Sequence, residues 1–367
     1  MRGGTPMDRK PLVAGGPVVA VRVLPATLAV LLLAGCLGPS TQSTTTPAPP
    51  AKFDGQAAYS FVEGLVSEAG GPRFRVPGTP AHARAAAWLE AAMQVPGWTV
   101  AWQNFTGAEY QAMPKGGVAG YTTQCDIGEP ERVKGLEFHN LVARWDGGDT
   151  GRTMALGAHW ESKKAANRDL AAANQTQPVL GANDGASGVG ILLQLMRHVA
   201  AHGGPAGVDL TIVLFDGEDG FEDCHPLAGS IAFVQALEPG EVDRMLLLDM
   251  VGDPAARFIQ ETRGCDPGMA ALFARHAPRL GLADNFLEHK APIYDDHLPF
   301  AEAGIPALDL LDAGRPTTFP PYWHTSHDTL ANISPAMLGR VGDLVAASLL
   351  DPDFTAQWPA SCAQAAP

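Results

Sequence analysis

Six short apolar runs interleaved with helical stretches decide most of what this chain can fold into. The runs are Trp98–Phe105, Asn140–Trp145, Thr153–Ala158, Asp209–Phe215, Met245–Asp249 and Pro306–Leu311. Asp209–Phe215 reads DLTIVLF and Met245–Asp249 reads MLLLD. Both are continuous rather than alternating, the pattern of strands covered on both faces. Helical stretches fall at Gln56–Ser67, Thr79–Gln94, Gly188–His202, Leu227–Leu237, Pro267–Leu280 and Pro335–Leu349. Within Gly188–His202, Leu192, Leu195, Met196 and Val199 recur at helical spacing, and Gly203-Gly204 stops the run. This alternation predicts an α/β fold, a single three-layer domain whose central, mostly parallel mixed sheet is flanked by helices. No internal repeat and no second linker interrupts it, so one domain spans 53–352 with a tail at 353–367.

Polar residues cluster where these runs end, the place where open α/β sheets put their ligands. His159-Trp160-Glu161-Ser162-Lys163 follows the third run, and Asn183-Asp184-Gly185 precedes the Gly188 helix. Asp216-Gly217-Glu218-Asp219 follows the fourth run, Asp249-Met250-Val251-Gly252-Asp253 closes the fifth, and Tyr322-Trp323-His324 lies beyond the sixth. Singly, each has an ordinary reading: a structural histidine, an Asp-Gly turn, a solvated acidic pair. Jointly, two histidines and three carboxylates (His159, His324, Asp184, Asp219, Asp249) make a donor set of the kind zinc takes. Glu218 beside them is a spare carboxylate suited to moving a proton.

The amino-terminal residues read as targeting rather than fold. Arg2, Arg9, Lys10 and Arg22 lead into Val23–Ala34, an apolar stretch too short to span a bilayer. Pro25 interrupts that stretch, which leaves Met7 as an alternative start. Leu33-Ala34-Gly35-Cys36 resembles the lipobox of bacterial and archaeal lipoproteins, in which the signal (1–35 here) is removed and the cysteine lipidated; an ordinary secretory signal is the alternative. Residues 36–52, rich in Ser, Thr and Pro, then form a flexible tether. The expectation is an extracytoplasmic protein anchored to a membrane through Cys36, not spanning it. With Cys36 set aside, Cys125, Cys224, Cys265 and Cys362 allow three disulfide pairings or four free thiols, and their spacing suits no cysteine zinc site. A formal net charge of −14 with scattered Lys and Arg excludes a nucleic-acid partner.

The motifs from His159 to Ser334 resemble the co-catalytic zinc aminopeptidases together with their glutaminyl-peptide cyclotransferase branch, with weaker similarity upstream to Phe53. The resemblance implies a zinc-exopeptidase fold of phosphorylase/hydrolase type and action on peptide or protein N-termini. It implies that Asp184, Asp219 and His324 bind the principal zinc and that Glu218 is the general base. His159 and Asp249 match positions that hold a second zinc in the two-metal aminopeptidases, so one or two ions remain open. Asp219 departs from the Glu that most relatives carry.

Other details resemble the cyclotransferase branch. Phe221–Ala228 is inserted before Gly229-Ser230, and Tyr294-Asp295-Asp296-His297-Leu298-Pro299-Phe300 resembles a cyclase segment whose first Asp joins an acidic hydrogen-bond network. Asp249 and Asp295 would surround Glu218 in that network, and Trp323, Tyr294 and Lys163 would contact substrate. An aromatic residue of the animal cyclases is Cys224 here, so either another residue such as Phe221 or Phe319 replaces it or the pocket is a different one. The expectation is a glutaminyl cyclase; the alternatives are a zinc aminopeptidase and, remotely, an inactive binding lipoprotein.

Overall fold

The structure, a computed structural model, describes residues 51–69, 71–112, 133–148, 151–219, 227–314 and 319–358. The signal, Cys36, nearly all of the tether, Cys125, Cys224, Cys362 and most of the Phe221–Ala228 insertion lie outside the described residues.

In chain order the elements are α1 (Gly55–Val66), the two-residue β1 (Ser67–Glu68) and β2 (Gly71–Pro72), α2 (Pro80–Ala92), β3 (Trp98–Thr106), α3 (Gly107–Ala112), β4 (Glu137–Trp145) and β5 (Arg152–His159). There follow α4 (Ala186–His202), β6 (Val208–Phe215), α5 (Ala228–Gln235), β7 (Arg244–Asp249), β8 (Phe258–Glu261) and α6 (Pro267–His276). The chain continues with β9 (Phe286–Ala291), α7 (Leu298–Glu302), β10 (Ala307–Leu311) and α8 (Pro335–Leu349). Local chemistry sets several boundaries. Thr79, Asp266 and Ser334 cap α2, α6 and α8 by accepting the N–H groups of His82, Met269 and Met337, each with a proline in the first helical turn.

All six expected strands join one sheet in the order β10-β7-β5-β6-β4-β3. The four strands β10, β7, β5 and β6 are parallel, and β4 and β3 add an antiparallel edge. The register leaves the carboxyl ends nearly flush: His159 pairs with Phe215 and Leu311 with Asp249. From β5 the chain steps to β6 on one side and later to β7 on the other. The crevice above β5 is therefore a topological switch point, and His159 stands at it.

Helices α1, α2, α4 and α8 share an apolar cluster on one face of the sheet, and α5 and α7 share another on the opposite face. α4 is buried nearly all round, as its apolar composition requires. Two glycines let it sit that deep. A Cβ on Gly188 would fall 2.1 Å from the Leu248 carbonyl of β7, and one on Gly190 would fall 2.7 Å from the Ala58 carbonyl of α1. This close approach fixes the amino end of α4, and with it Asp184, against β7.

The short parallel pair β8–β9 and helices α3 and α7 are not foreshadowed by the apolar runs. Residues 353–358 also pack onto the domain. Phe354 is 2 % exposed, and the Arg244 guanidinium lies 5.4 Å from its ring and 5.3 Å from that of Trp358. Cys265 is disulfide-bonded. Among the described residues no helix is long and apolar enough to cross a membrane.

Candidate metal centre and active site

Three loops at the carboxyl edge of the sheet, together with the ends of β5 and β7, bring the expected ligands together. His159 ends β5, Asp184 precedes α4, Glu218 and Asp219 follow β6, Asp249 ends β7, and His324 lies between β10 and α8. Asp184 faces both histidines: its Oδ1 lies 3.0 Å from His159 Nε2 and its Oδ2 lies 3.5 Å from His324 Nε2. On one side His324 Nε2 is 3.0 Å from Asp219 Oδ1; on the other His159 Nε2 is 3.4 Å from Asp249 Oδ1. Donor atoms of His159, Asp184 and Asp219 converge within 4.8 Å of one another. Two backbones here are strained, since His324 has φ 57° and Met250, just after Asp249, has φ 48°. Non-glycine residues take up this conformation where the surrounding structure enforces it, often at functional sites.

Electrostatics say what such a cluster needs. Burial pushes the Asp249 carboxyl up to about 6. Burial, with the charges of Asp309, Asp249 and Glu218, raises the Asp295 carboxyl well above its usual range. Burial would lower the His159 pKa, yet Glu161, Asp184 and Asp249 outweigh it and raise it well above normal. Carboxylates held this close are relieved by a proton or by a cation between them. Two imidazoles and three carboxylates, one histidine and one aspartate on each side of Asp184, fit zinc in donor type.

Behind the ligands lies a buried scaffold that sequence reasoning did not assign. Glu161 Oε1 accepts the Asp219 N–H at 2.7 Å and lies 3.5 Å from His159 Nδ1, so one side chain orients two ligands. Asp328 accepts the N–H groups of Asn183 and Asp184. Asn183 donates to Tyr322 Oη and accepts from the Gly252 N–H, while Tyr322 donates to Asp253. These bonds join the loops bearing Asp184, Asp249 and His324. Arg75, fully buried, donates to the carbonyls of Trp160, Glu161, Leu180 and Gly181 and so ties the loop after β5 to the loop before Asp184. Asp216 is likewise structural: it takes His82 Nε2 at 2.9 Å and the His139 N–H at 2.7 Å, pinning the turn that carries Glu218.

A cavity of about 410 Å3 opens over the ligands, lined by Glu218, Asp249, Tyr294, Asp295, Phe319 and Trp323 among others. Phe319 stacks on Trp323 at 4.0 Å, and Trp323 stacks on the His324 ring at 3.8 Å. An aromatic wall therefore exists with Phe319 in it; Phe221 lies outside the described residues. Lys163 departs from expectation. It is 1 % exposed and its Nζ faces Asp219, 3.6 Å from Oδ1, so it stands behind the ligands rather than on the cavity wall. Its position after His159 suggested a substrate contact, but the chain turns it inward to offset ligand charge. Arg168, which no motif marked, lines the mouth instead.

Residues 140–349 match peptidase family M28, more than half of the chain. The chain belongs to that family. It is 25 % identical over 308 residues to a glutaminyl-peptide cyclotransferase-like protein of Bos taurus, covering 76 % of this chain and 72 % of the bovine one. Its fold is similar to the crystal structure of Bacteroides thetaiotaomicron glutaminyl cyclase bound to N-acetylhistamine, with TM-score 0.69 and 27 % identity over 83 % of this chain and 99 % of the other. A Zn-dependent exopeptidase from Parabacteroides distasonis is similar at TM-score 0.68 and 26 % identity, over 83 % of this M28 chain and 100 % of the other. Family and donor set together imply zinc as the metal.

Proposed function

We propose that this M28 protein is a zinc-dependent glutaminyl-peptide cyclotransferase, converting an N-terminal Gln of peptides or proteins to pyroglutamate with loss of ammonia. The observation that carries the reading is Asp295. It comes from the segment that resembles the cyclases, is buried, and lines the same cavity as Glu218 and Asp249. The likeness to glutaminyl cyclases over most of the chain supports it.

Asp184, Asp219 and His324 would hold the principal ion. His159, Asp249 and the other oxygen of Asp184 form the half-site that a second ion would use. Zinc bound there would supply Lewis acidity toward the γ-carbonyl of the Gln side chain. The chain's own residues do the rest. The aromatic wall of Trp323 and Phe319 and the carboxylates around it seat one side chain and its free α-amine. That amine attacks the γ-carbonyl carbon while Glu218 takes its proton. Glu218 returns the proton to the amide nitrogen, the carbon–nitrogen bond of the carboxamide breaks, and ammonia leaves. Asp249 and Asp295 stand around Glu218 and hold its proton network.

A metallo-aminopeptidase is the second reading, favoured by the half-site of His159 and Asp249 and by the exopeptidase likeness. There Glu218 would take its proton from water. Incubating the zinc-loaded enzyme with a Gln-initiated and a Leu-initiated peptide separates the two. Loss of one ammonia from the first, with the second intact, is expected; release of free amino acids would favour the peptidase.

We also propose a lipid anchor on Cys36, from the lipobox-like tetrapeptide alone. Cys36→Ser should move the protein from the membrane fraction to the soluble one, and unchanged membrane association would contradict the anchor.

A further inference from the structure

The cavity is acidic within, through Asp184, Glu218, Asp219, Asp249 and Asp295, and Arg168 is the one cation among its described lining residues. Arg168 is exposed on the loop after β5, with its guanidinium 4.3 Å from the centre of the Trp323 ring. Its backbone N–H donates to the His324 carbonyl at 3.2 Å. The next residue, Asp169, is buried and accepts the Ser326 N–H at 3.0 Å and the Ser326 hydroxyl. The loop carrying Arg168 is thus fastened to the loop carrying His324 at the arginine's own backbone and at the residue after it. Among the described residues no carboxylate forms an ion pair with Arg168.

This placement has a chemical meaning once a substrate is seated. An N-terminal Gln fills the acidic interior, and the rest of the peptide must leave through the mouth, where Arg168 waits. A guanidinium resting on an aromatic ring is pre-oriented and presents a planar fork of donors that matches a carboxylate. It repels a second cation. Resting on the cyclotransferase reading, we propose that Arg168 is a specificity-determining residue that selects peptides carrying a carboxylate on the residue immediately after the N-terminal Gln.

The test uses the full-length, zinc-loaded enzyme and three C-terminally amidated peptides that differ only at the second residue: Glu, Gln or Lys. Cyclisation is followed by ammonia release. Wild type is expected to favour the Glu peptide over the Gln peptide by about fivefold in kcat/KM, mainly through KM, the upper range for an exposed ion pair. High salt should reduce that ratio. Arg168→Ala should bring the ratio to about one, and Arg168→Glu should reverse it in favour of the Lys peptide. Because each ratio is taken within one variant, a general loss of activity does not obscure it. A wild-type enzyme indifferent to the second residue, or a preference that survives Arg168→Ala, overturns the proposal. If wild type cyclises none of the three peptides, the cyclotransferase reading itself falls and this inference with it.

Discussion

Asp328 accepts the backbone N–H of Asp184 through Oδ2 at 3.1 Å, and through Oδ1 it takes the neighbouring N–H of Asn183 at 2.9 Å. A carboxylate can serve both donors because both its oxygens accept; an amide cannot. Asp328→Asn therefore sets an NH2 against a buried N–H, at a cost of about 1–3 kcal/mol. Through the displaced Asp184 it should weaken zinc binding by roughly 10–100-fold. Competition with a chromophoric chelator measures this. Unchanged zinc affinity would mean that Asp184 is held by its other contacts.

Arg75 reaches four carbonyls of two loops with one planar fork. Burial lowers its pKa to about 10, against the opposing charges of Glu161, Asp328 and Asp184, so it stays charged at neutral pH. Arg75→Lys keeps the charge but concentrates three donors at one point, which cannot span both loops. Carbonyls left without donors should cost about 2–4 kcal/mol of stability, read as a lower urea midpoint. A midpoint matching wild type would show that charge alone suffices at this position.

Asp169 gives a pH signature. The Ser326 hydroxyl, then the Ala171 and Ser326 N–H groups and Asn174, hold its carboxyl down at about 2 against the opposing effect of burial. A lowered carboxyl stabilises the fold above its unfolded pKa of about 4, and that contribution is lost as pH falls toward the folded value. Asp169→Asn should therefore be less stable than wild type at neutral pH. The gap should close as pH falls from about 4 to about 2. Urea melts across that range check it, and a gap independent of pH would contradict the clamp.

Much of this molecule was legible because its strands are continuous apolar runs. Thr153–Ala158 was expected and Arg152–His159 is found; Pro335–Leu349 was expected as a helix and is one to the residue. That the five expected donor residues meet at one edge of the sheet was legible only from their joint occurrence, since each alone reads as a structural histidine, a turn or a solvated acid. What stayed hidden depends on contacts between segments far apart in the chain. Arg75 sits in GPRFRVPGT, where nothing local distinguishes it from a surface arginine, and its partners lie 85 to 106 residues away. Lys163 was misread because proximity to His159 in sequence says nothing about which way a loop side chain turns. Strand β9, reading FLEHKA, has no buried residue and among the described residues pairs with β8 alone, so no apolar pattern announces it.

Glu218 is where the central claim is most exposed to test. It lines the cavity beside Asp249 and Asp295, and a carboxylate oxygen of Glu218 lies within 4.8 Å of donor atoms of His159 and Glu161. The measurement is cyclisation of a Gln-initiated peptide by wild type and by Glu218→Gln, with zinc content determined on the same samples. Wild type should convert the peptide with loss of one ammonia. The variant should keep its zinc and lose about 100-fold or more in kcat, the contribution of a positioned proton carrier. A variant that retains most of its turnover with zinc in place would contradict the account.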